Sequence, residues 1–76
     1  MKEVLEYIAR ALVDDPDAVE VTEVEGERSR ILQLRVAPDD MGKVIGKRGR
    51  IARAIRSVVR ASGSREGVST LVEIVE

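Results

Sequence analysis

The sequence predicts a small α+β domain whose elements follow the order helix, strand, strand, helix, helix, strand. Three observations support this prediction. Apolar residues recur at helical spacing in two segments, apolar and polar residues alternate on both sides of a turn signal, and β-branched residues crowd the end of the chain. The chain has 76 residues, of which 43% are hydrophobic, which suits one modest core and a single domain over 1–76.

The first helix is predicted near the N-terminus. Five apolar residues recur there at helical spacing, namely Val4, Leu5, Ile8, Ala9 and Leu12. The segment 14–17 ends this helix, because the residue before Pro16 is pushed away from helical backbone angles.

Residues 19–25 and 30–36 are predicted to pair as a β-hairpin. Valines alternate with glutamates and a threonine in the first segment, which indicates a strand with one solvated face. The sequence Glu25-Gly26-Glu27 is typical of a turn, so the second segment is expected to fold back against the first.

The segment 38–40, Pro-Asp-Asp, predicts the start of a second helix. An aspartate at a helix cap accepts hydrogen bonds from backbone N–H groups, and acids in the first turn suit the helix dipole. This helix spans 41–45 and ends in a glycine-containing loop. A longer helix is predicted from Arg50 to about Ala61, with Gly63 as its stop, and the β-branched segment 68–75 follows as the last strand.

The net charge of −1 hides a strong separation of charge along the chain. Residues 1–27 carry nine acids and two bases, residues 28–65 carry eleven bases and two acids, and residues 66–76 carry three acids and no base. The stretch 43–60 holds seven lysines and arginines and not one acid. Such asymmetry is expected of a protein that binds a polyanion, although charge alone fits a solvated helix face equally well.

Gly46 and Gly49 frame a sharp turn between the second and third helices. Because neither residue has a Cβ atom, the loop can adopt unusual backbone angles, and a nucleic-acid backbone can approach it closely. The next helix begins at this loop, so its free N–H groups favour a phosphate there. Lys47 and Arg48, between the glycines, are placed to meet that phosphate directly.

The predicted third helix divides into two sides when each residue is advanced by about 100°. One side is apolar and is predicted to be core, with Ile51, Ile55, Val58 and Val59. The other side is a basic edge formed by Arg50, Arg53, Arg56 and Arg60. These arginines could serve solubility alone, but their row starts at the glycine loop, so we expect at least one to contact the polyanion.

The stretch from Val44 to Ile51 resembles the V-I-G-x-x-G-x-x-I signature of KH domains. Ile51 falls one residue before the usual apolar position, which Ala52 occupies instead. The helix and strand that come first resemble the bacterial type II form, and the likeness covers nearly the whole chain. It is greatest to the small stand-alone KH proteins of bacteria, the KhpA or YlqC type, which also share Val19-Glu20-Val21-Thr22, Val36-Ala37-Pro38 and Met41-Gly42-Lys43.

The resemblance implies a type II KH domain with a three-stranded mixed sheet and three helices on one face. It also implies a groove for about four unpaired RNA nucleotides, with the loop on the backbone and apolar side chains against the bases. The residues carried over are Gly46, Lys47, Arg48 and Gly49 as the loop, and Val44, Ile45 and Ala52 as the apolar groove residues. The predicted RNA-binding set also includes Lys43 and, from the basic row, Arg50, Arg53 and Arg56. For Val44 and Ile45 a core position fits equally well, since one of two adjacent helical residues usually points inward.

The resemblance further implies an RNA chaperone or post-transcriptional regulator that forms a homodimer or a heterodimer with a larger Jag-type KH protein. Tyr7 is the only aromatic residue, so a platform for base stacking is not expected. We therefore expect micromolar or weaker affinity for one domain and a strong dependence on salt. Pairing of two domains would raise the affinity through avidity.

Three other functions fit parts of the sequence. A helix-turn-helix reader of double-stranded DNA would place the helix 50–60 in the major groove, but that helix offers four arginines and only Ser57 to read bases. A KH-fold protein-interaction module without RNA binding fits the predicted fold. An enzyme fits poorly, because neighbouring acids such as Asp39 and Asp40 at a helix start do not converge on one substrate atom.

The chain contains no cysteine and no histidine, which removes disulfides, thiolate metal sites and the commonest general base. We therefore expect no catalytic residue, no metal, no cofactor and no small-molecule substrate. No apolar run approaches the roughly 20 residues of a membrane span, and the N-terminus carries acids where a signal peptide is apolar. The expected location is cytoplasmic.

Overall fold

In the computed structural model, which describes residues 2–75, helices and strands follow the predicted order. The helices are α1 (Lys2–Leu12), α2 (Met41–Ile45) and α3 (Arg50–Arg65), and the strands are β1 (Glu20–Glu25), β2 (Ser29–Arg35) and β3 (Ser69–Val75). Short 3-10 turns lie at Pro16–Ala18, Pro38–Asp40 and Lys47–Gly49. The predicted α+β class is confirmed.

The three strands form one mixed sheet in the order β1-β2-β3. β1 runs antiparallel to β2, with Val21 opposite Leu34, and the turn closes with the N–H of Gly26 donating to the carbonyl of Ser29 at 2.8 Å. β2 runs parallel to β3, with Leu34 opposite Ile74. Parallel pairing needs a long connection, which α2 and α3 supply. The predicted hairpin and mixed sheet are confirmed.

The core lies between one face of the sheet and the three helices. α1 packs against β1, α3 packs against β3, and α2 contacts both other helices. The buried apolar side chains are Leu5, Ala9, Val19, Val21, Leu32, Leu34, Val36, Val44, Ile55, Val59 and Val72. Side chains of the opposite face, such as Val24 and Leu71, are half exposed. Within residues 2–75, the helices are too short or too polar to cross a membrane.

Helix α3 continues past the predicted end, and Gly63 lies buried inside it. The helix ends at Arg65, and Gly67, just beyond its cap residue Glu66, has a left-handed φ of 73°. The N–H of Gly67 donates to the carbonyl of Ser64 at 3.1 Å, and the N–H of Val68 donates to the carbonyl of Gly63 at 3.0 Å. These are the two hydrogen bonds of a Schellman cap. The prediction of Gly63 as the stop was wrong, because only a left-handed glycine can close this cap.

Candidate nucleic-acid interface

The glycine loop, residues 46–49, turns sharply because three of its four residues have positive φ. Gly46 has φ 75° and ψ 172°, a conformation that is almost restricted to glycine. Arg48 (φ 58°, ψ 25°) and Gly49 (φ 74°, ψ 14°) are left-handed. Arg48 is the one non-glycine residue with positive φ among residues 2–75. Left-handed angles cost an ordinary residue about 1–2 kcal/mol, so the surroundings of Arg48 must hold it there.

The two glycines of the loop have different surroundings. A Cβ atom added at Gly46 would lie 2.5 Å from Cγ1 and 2.8 Å from Cβ of Ile51. The side chain of Ile51 therefore packs directly on the Gly46 backbone and ties the start of α3 to the loop. A Cβ atom added at Gly49 would meet no atom of residues 2–75 within 4 Å. The space beside Gly49 is thus open to a ligand.

Two hydrogen bonds stabilise the loop from within. The N–H of Gly49 donates to the carbonyl of Gly46 at 3.1 Å. The carbonyl of Arg48 accepts from Nη2 of Arg53, one turn into α3, at 2.9 Å. The side chains of Lys47 and Arg48 are exposed. The loop is therefore a constrained turn that presents two cations to solvent at the positive end of a helix.

The arginines of α3 do not form one continuous edge. Arg50 lines a cavity on the α1 side of the helix. Arg53 turns back to the loop, and Arg60 is exposed. Arg56 is half buried, and its Nε donates to the carbonyl of Val72 on the edge strand β3 at 3.3 Å. Arg56 therefore spans the gap between α3 and the sheet edge, a contact that helical spacing alone did not predict.

The predicted apolar groove residues divide between core and surface. Val44 is fully buried in the core, the alternative position that the sequence left open for it. Ile45, the next residue, is 38% exposed. Ala52 is buried at the edge of the core, with 4% of its surface exposed. α2 thus turns one of two adjacent apolar residues inward and leaves the other at the surface.

Asp40 lies at the N-cap position of α2, but its side chain makes none of the expected hydrogen bonds to the backbone N–H groups of that helix. Its buried carboxylate instead accepts hydrogen bonds from the N–H of Asp14 at 3.2 Å and of Asp15 at 3.1 Å, in the segment that follows α1. Lys43 donates to the same carboxylate at 3.3 Å. Burial by itself would raise the pKa of Asp40, but the bonds from Asp15, Asp14 and Lys43 together hold that pKa below its usual value.

Lys43, a predicted RNA-binding residue, is held by two carboxylates. Its ammonium group donates to Asp14 at 2.8 Å and to Asp40 at 3.3 Å. The hydrogen bonds to Asp14 and Asp40 raise the pKa of Lys43. The positive charge is therefore compensated within the protein, and Lys43 joins α2 to the end of α1.

Not all of the apolar side of α3 is buried in the core, although the sequence predicted that it would be. Ile55 and Val59 are buried, but Val58 is 48% exposed. Val58 lines a cavity of about 320 Å³ between α1 and α3, to which α1 contributes Ile8 and Leu12. The sequence contained a signal for this surface, since the apolar arc of α3 continues past the residues that one sheet face can cover.

Comparisons with known proteins agree with this geometry. Residues 2–74 match the family described as KhpA/KhpB, KH domain. The chain is 60% identical over 75 residues to the RNA-binding protein KhpA of Clostridium acetobutylicum, covering 99% of this chain and 100% of that one. It is 49% identical over 76 residues to the RNA-binding protein KhpA of Aquifex aeolicus, covering 100% of this chain and 96% of that one.

A solved structure shares the fold at much lower identity. It is the crystal structure of a variant of Aquifex aeolicus Era bound to GDP.AlF4-, with a TM-score of 0.63 and 19% identity. The match covers 97% of this chain and 30% of that chain, so it bears on the fold alone. The family match spans nearly all described residues and the relatives are similar from end to end, so the chain belongs to the KhpA/KhpB KH-domain family.

Proposed function

We propose that this chain binds single-stranded RNA, with the glycine loop against the sugar–phosphate backbone. The observation that carries the proposal is the open space beside Gly49, at the N-terminal end of α3 and next to the exposed Lys47 and Arg48. A phosphate can approach a backbone that has no Cβ in its way, and the positive helix end and both cations attract it. Relatives from 46% to 60% identical are named RNA-binding proteins, which supports the proposal.

The proposed interface is smaller than the one expected from the sequence. It comprises the loop, the cations that follow it and two apolar residues, namely Gly46, Lys47, Arg48, Gly49, Arg50, Arg53, Arg56, Ile45 and Ala52. Lys43 is left out because two carboxylates already hold it, and Val44 because it is fully buried. Bases would meet Ile45 at the surface of α2, while Ala52, which is 4% exposed, would add little surface.

We propose that binding is weak and tolerant of base sequence. Tyr7 is the only aromatic residue and lies on α1, outside the proposed interface, so stacking worth roughly 1–3 kcal/mol per base is not offered there. Contacts to phosphate carry little sequence information. Such a binder suits an RNA chaperone or a post-transcriptional regulator, which acts on many transcripts.

We also propose that the working unit contains two KH domains, as a homodimer or with a larger Jag-type KH protein. The cavity between α1 and α3 supports this, because every residue that lines it except Arg50 is apolar, and one of them, Val58, is about half exposed. An apolar surface of this kind is typical of a protein contact. Two linked binding sites would compensate for weak single sites.

The test of RNA binding is a two-dimensional amide NMR titration of labelled protein. The ligands are a short single-stranded RNA, the matched DNA and an RNA duplex. We expect shifts centred on 44–56, largest with single-stranded RNA and lost when Lys47 and Arg48 are both changed to Asp.

The matched control changes Arg28 and Arg65 to Asp, which alters the net charge equally. Arg65 lies at the far end of α3, and Arg28 lies in the hairpin turn. We expect this variant to bind almost as the wild type does. Movement of α3 with duplex DNA while the loop stays unchanged would contradict the proposal.

A further inference from the structure

The peptide group between Arg48 and Gly49 is held from both sides. Its N–H donates to the carbonyl of Gly46 at 3.1 Å, and its carbonyl accepts from Nη2 of Arg53 at 2.9 Å. The two groups belong to one planar unit and point in opposite directions. Two hydrogen bonds on opposite sides of a peptide plane fix its rotation, and this rotation sets ψ of Arg48 and φ of Gly49.

The two hydrogen bonds act next to the one strained residue of the loop. Arg48 is the one non-glycine residue in the left-handed region among residues 2–75. An arginine on its own favours right-handed or extended angles, because its Cβ crowds the following carbonyl in the left-handed form. Departure of Arg48 to right-handed or extended angles changes its ψ as well as its φ, and the change in ψ turns this peptide and pulls it away from the bonds to Gly46 and Arg53.

We infer that Arg53 is a positioning residue, which holds Arg48 left-handed and thereby keeps the glycine loop in its phosphate-binding shape. The inference rests on the proposed RNA-binding function and goes beyond it, because it gives Arg53 a role in the free protein. A guanidinium carries five N–H donors, so the bond to the loop leaves others for a phosphate. Arg60, two turns further along α3, is an exposed arginine without this place beside the loop.

The first experiment needs no RNA. Hydrogen exchange of the Gly49 amide and the carbonyl carbon shift of Arg48 are measured by NMR in the wild type, in Arg53→Ala and in Arg60→Ala. We expect the Gly49 amide of Arg53→Ala to exchange about tenfold faster, with a shifted Arg48 carbonyl signal. Arg60→Ala removes the same charge from the same helix, so it should leave both signals unchanged.

The second experiment measures affinity for a single-stranded RNA of about eight nucleotides at constant salt. We expect Arg53→Ala to weaken binding about fivefold and Arg60→Ala about twofold or less. The same Arg53→Ala change is then made in an Arg48→Gly background. Because glycine adopts left-handed angles freely, the loss there should shrink to about that of Arg60→Ala.

An unchanged Gly49 amide in Arg53→Ala would overturn the inference. The inference would also be overturned if Arg53→Ala weakened binding equally in the wild type and in the Arg48→Gly background. An Arg53 that only contacts phosphate would contribute the same affinity in both. If the wild type binds no single-stranded RNA, the proposed function fails. The amide measurement still decides separately whether Arg53 holds the loop.

Discussion

The two glycines of the loop are required for different reasons. At Gly46 both the backbone angle and the packing exclude a side chain, because Ile51 occupies the space that a Cβ would need. At Gly49 only the left-handed angle favours glycine, and the space around it is open. Gly46 is therefore a requirement of folding, whereas Gly49 keeps a surface clear for a ligand.

Alanine substitutions should separate these two requirements. We expect Gly46→Ala to lower the free energy of unfolding by roughly 2–4 kcal/mol, since positive φ and overpacking against Ile51 both act. Gly49→Ala should cost only about 1 kcal/mol, since the backbone angle alone is affected. Urea unfolding followed by circular dichroism measures both values.

The Ile51→Ala background provides the control for this comparison. Ile51→Ala removes Cγ1 and Cδ1 but keeps Cβ, so it should reduce the cost of Gly46→Ala in part and leave the cost of Gly49→Ala unchanged. Equal costs for the two glycines in the wild-type background would show that the contact with Ile51 is not the reason for glycine at position 46.

Helix α2 depends on tertiary contacts for its stability. It has five residues, and isolated helices of that length do not persist in water. Val44 anchors it in the core, and Asp40 at its start holds the segment after α1 through two backbone N–H groups. Because α2 leads directly into the glycine loop, these anchors also place the loop.

Acid should weaken the anchor at Asp40. The folded-state pKa of this carboxyl lies below its ordinary value of 3.8, so its contribution to stability is present above that value and is lost as pH falls through the folded pKa. We expect Asp40→Asn to unfold at a lower temperature than the wild type at pH 7, because the amide NH₂ would face a backbone donor. Below the folded pKa the two melting temperatures should converge.

Asp39→Asn is the matched control, since Asp39 is the exposed neighbour in the same turn. It should melt close to the wild type at every pH. A constant difference in melting temperature between wild type and Asp40→Asn from pH 7 to pH 2 would contradict the proposed ionised anchor.

Lys43 responds to pH in the opposite direction. Because its pKa is raised, its contribution to stability is present below 10.5 and is lost as pH rises through the folded pKa.

Local sequence patterns were sufficient to predict the helices, the strands and the glycine loop, because the periodicity of a helix or a strand is visible in consecutive residues. Contacts across the chain were not predictable in this way. Asp40 has the spacing of an ordinary helix cap, yet its partners Asp14 and Asp15 lie about 25 residues earlier. Competition between a local and a distant partner is decided by packing, which a sequence window does not contain.

The sequence does not show which of two glycines ends α3. Gly63 and Gly67 are both plausible stops, and only the second is left-handed. The left-handed Arg48 was hidden for a related reason, since the middle positions of the motif accept many residues. Arg53 supports the backbone of Arg48 by donating to its carbonyl. The sequence predicted that Arg53 lies at the surface, where it is exposed, but not that it bonds to the loop.

Across the molecule, the acids of the hairpin and Glu66 lie at the opposite end of α3 from the glycine loop. Arg30 pairs with Glu66 at 3.1 Å, Glu25 at 3.5 Å and Glu23 at 3.8 Å, which joins the acidic hairpin to the C-terminal end of this helix. The glycine loop lies at the N-terminal end, 16 residues away, or about 24 Å along a helix. That distance exceeds the screening length of about 8 Å at physiological salt. The acids of the hairpin and Glu66 therefore lower the net charge of the chain without cancelling the local charge of the loop.

This separation predicts how RNA binding responds to salt. Binding should weaken linearly on a log–log plot against KCl concentration, because each phosphate contact releases bound counterions. Lys47→Ala should lower the slope by about 0.7, the value for one phosphate contact on a single strand, and should weaken binding equally for RNAs of different sequence. Fluorescence anisotropy with labelled oligonucleotides measures both effects. Arg65→Ala, which removes a charge at the opposite end of α3, should leave the slope unchanged; an equal decrease in both variants would mean that RNA responds to total charge and not to the loop.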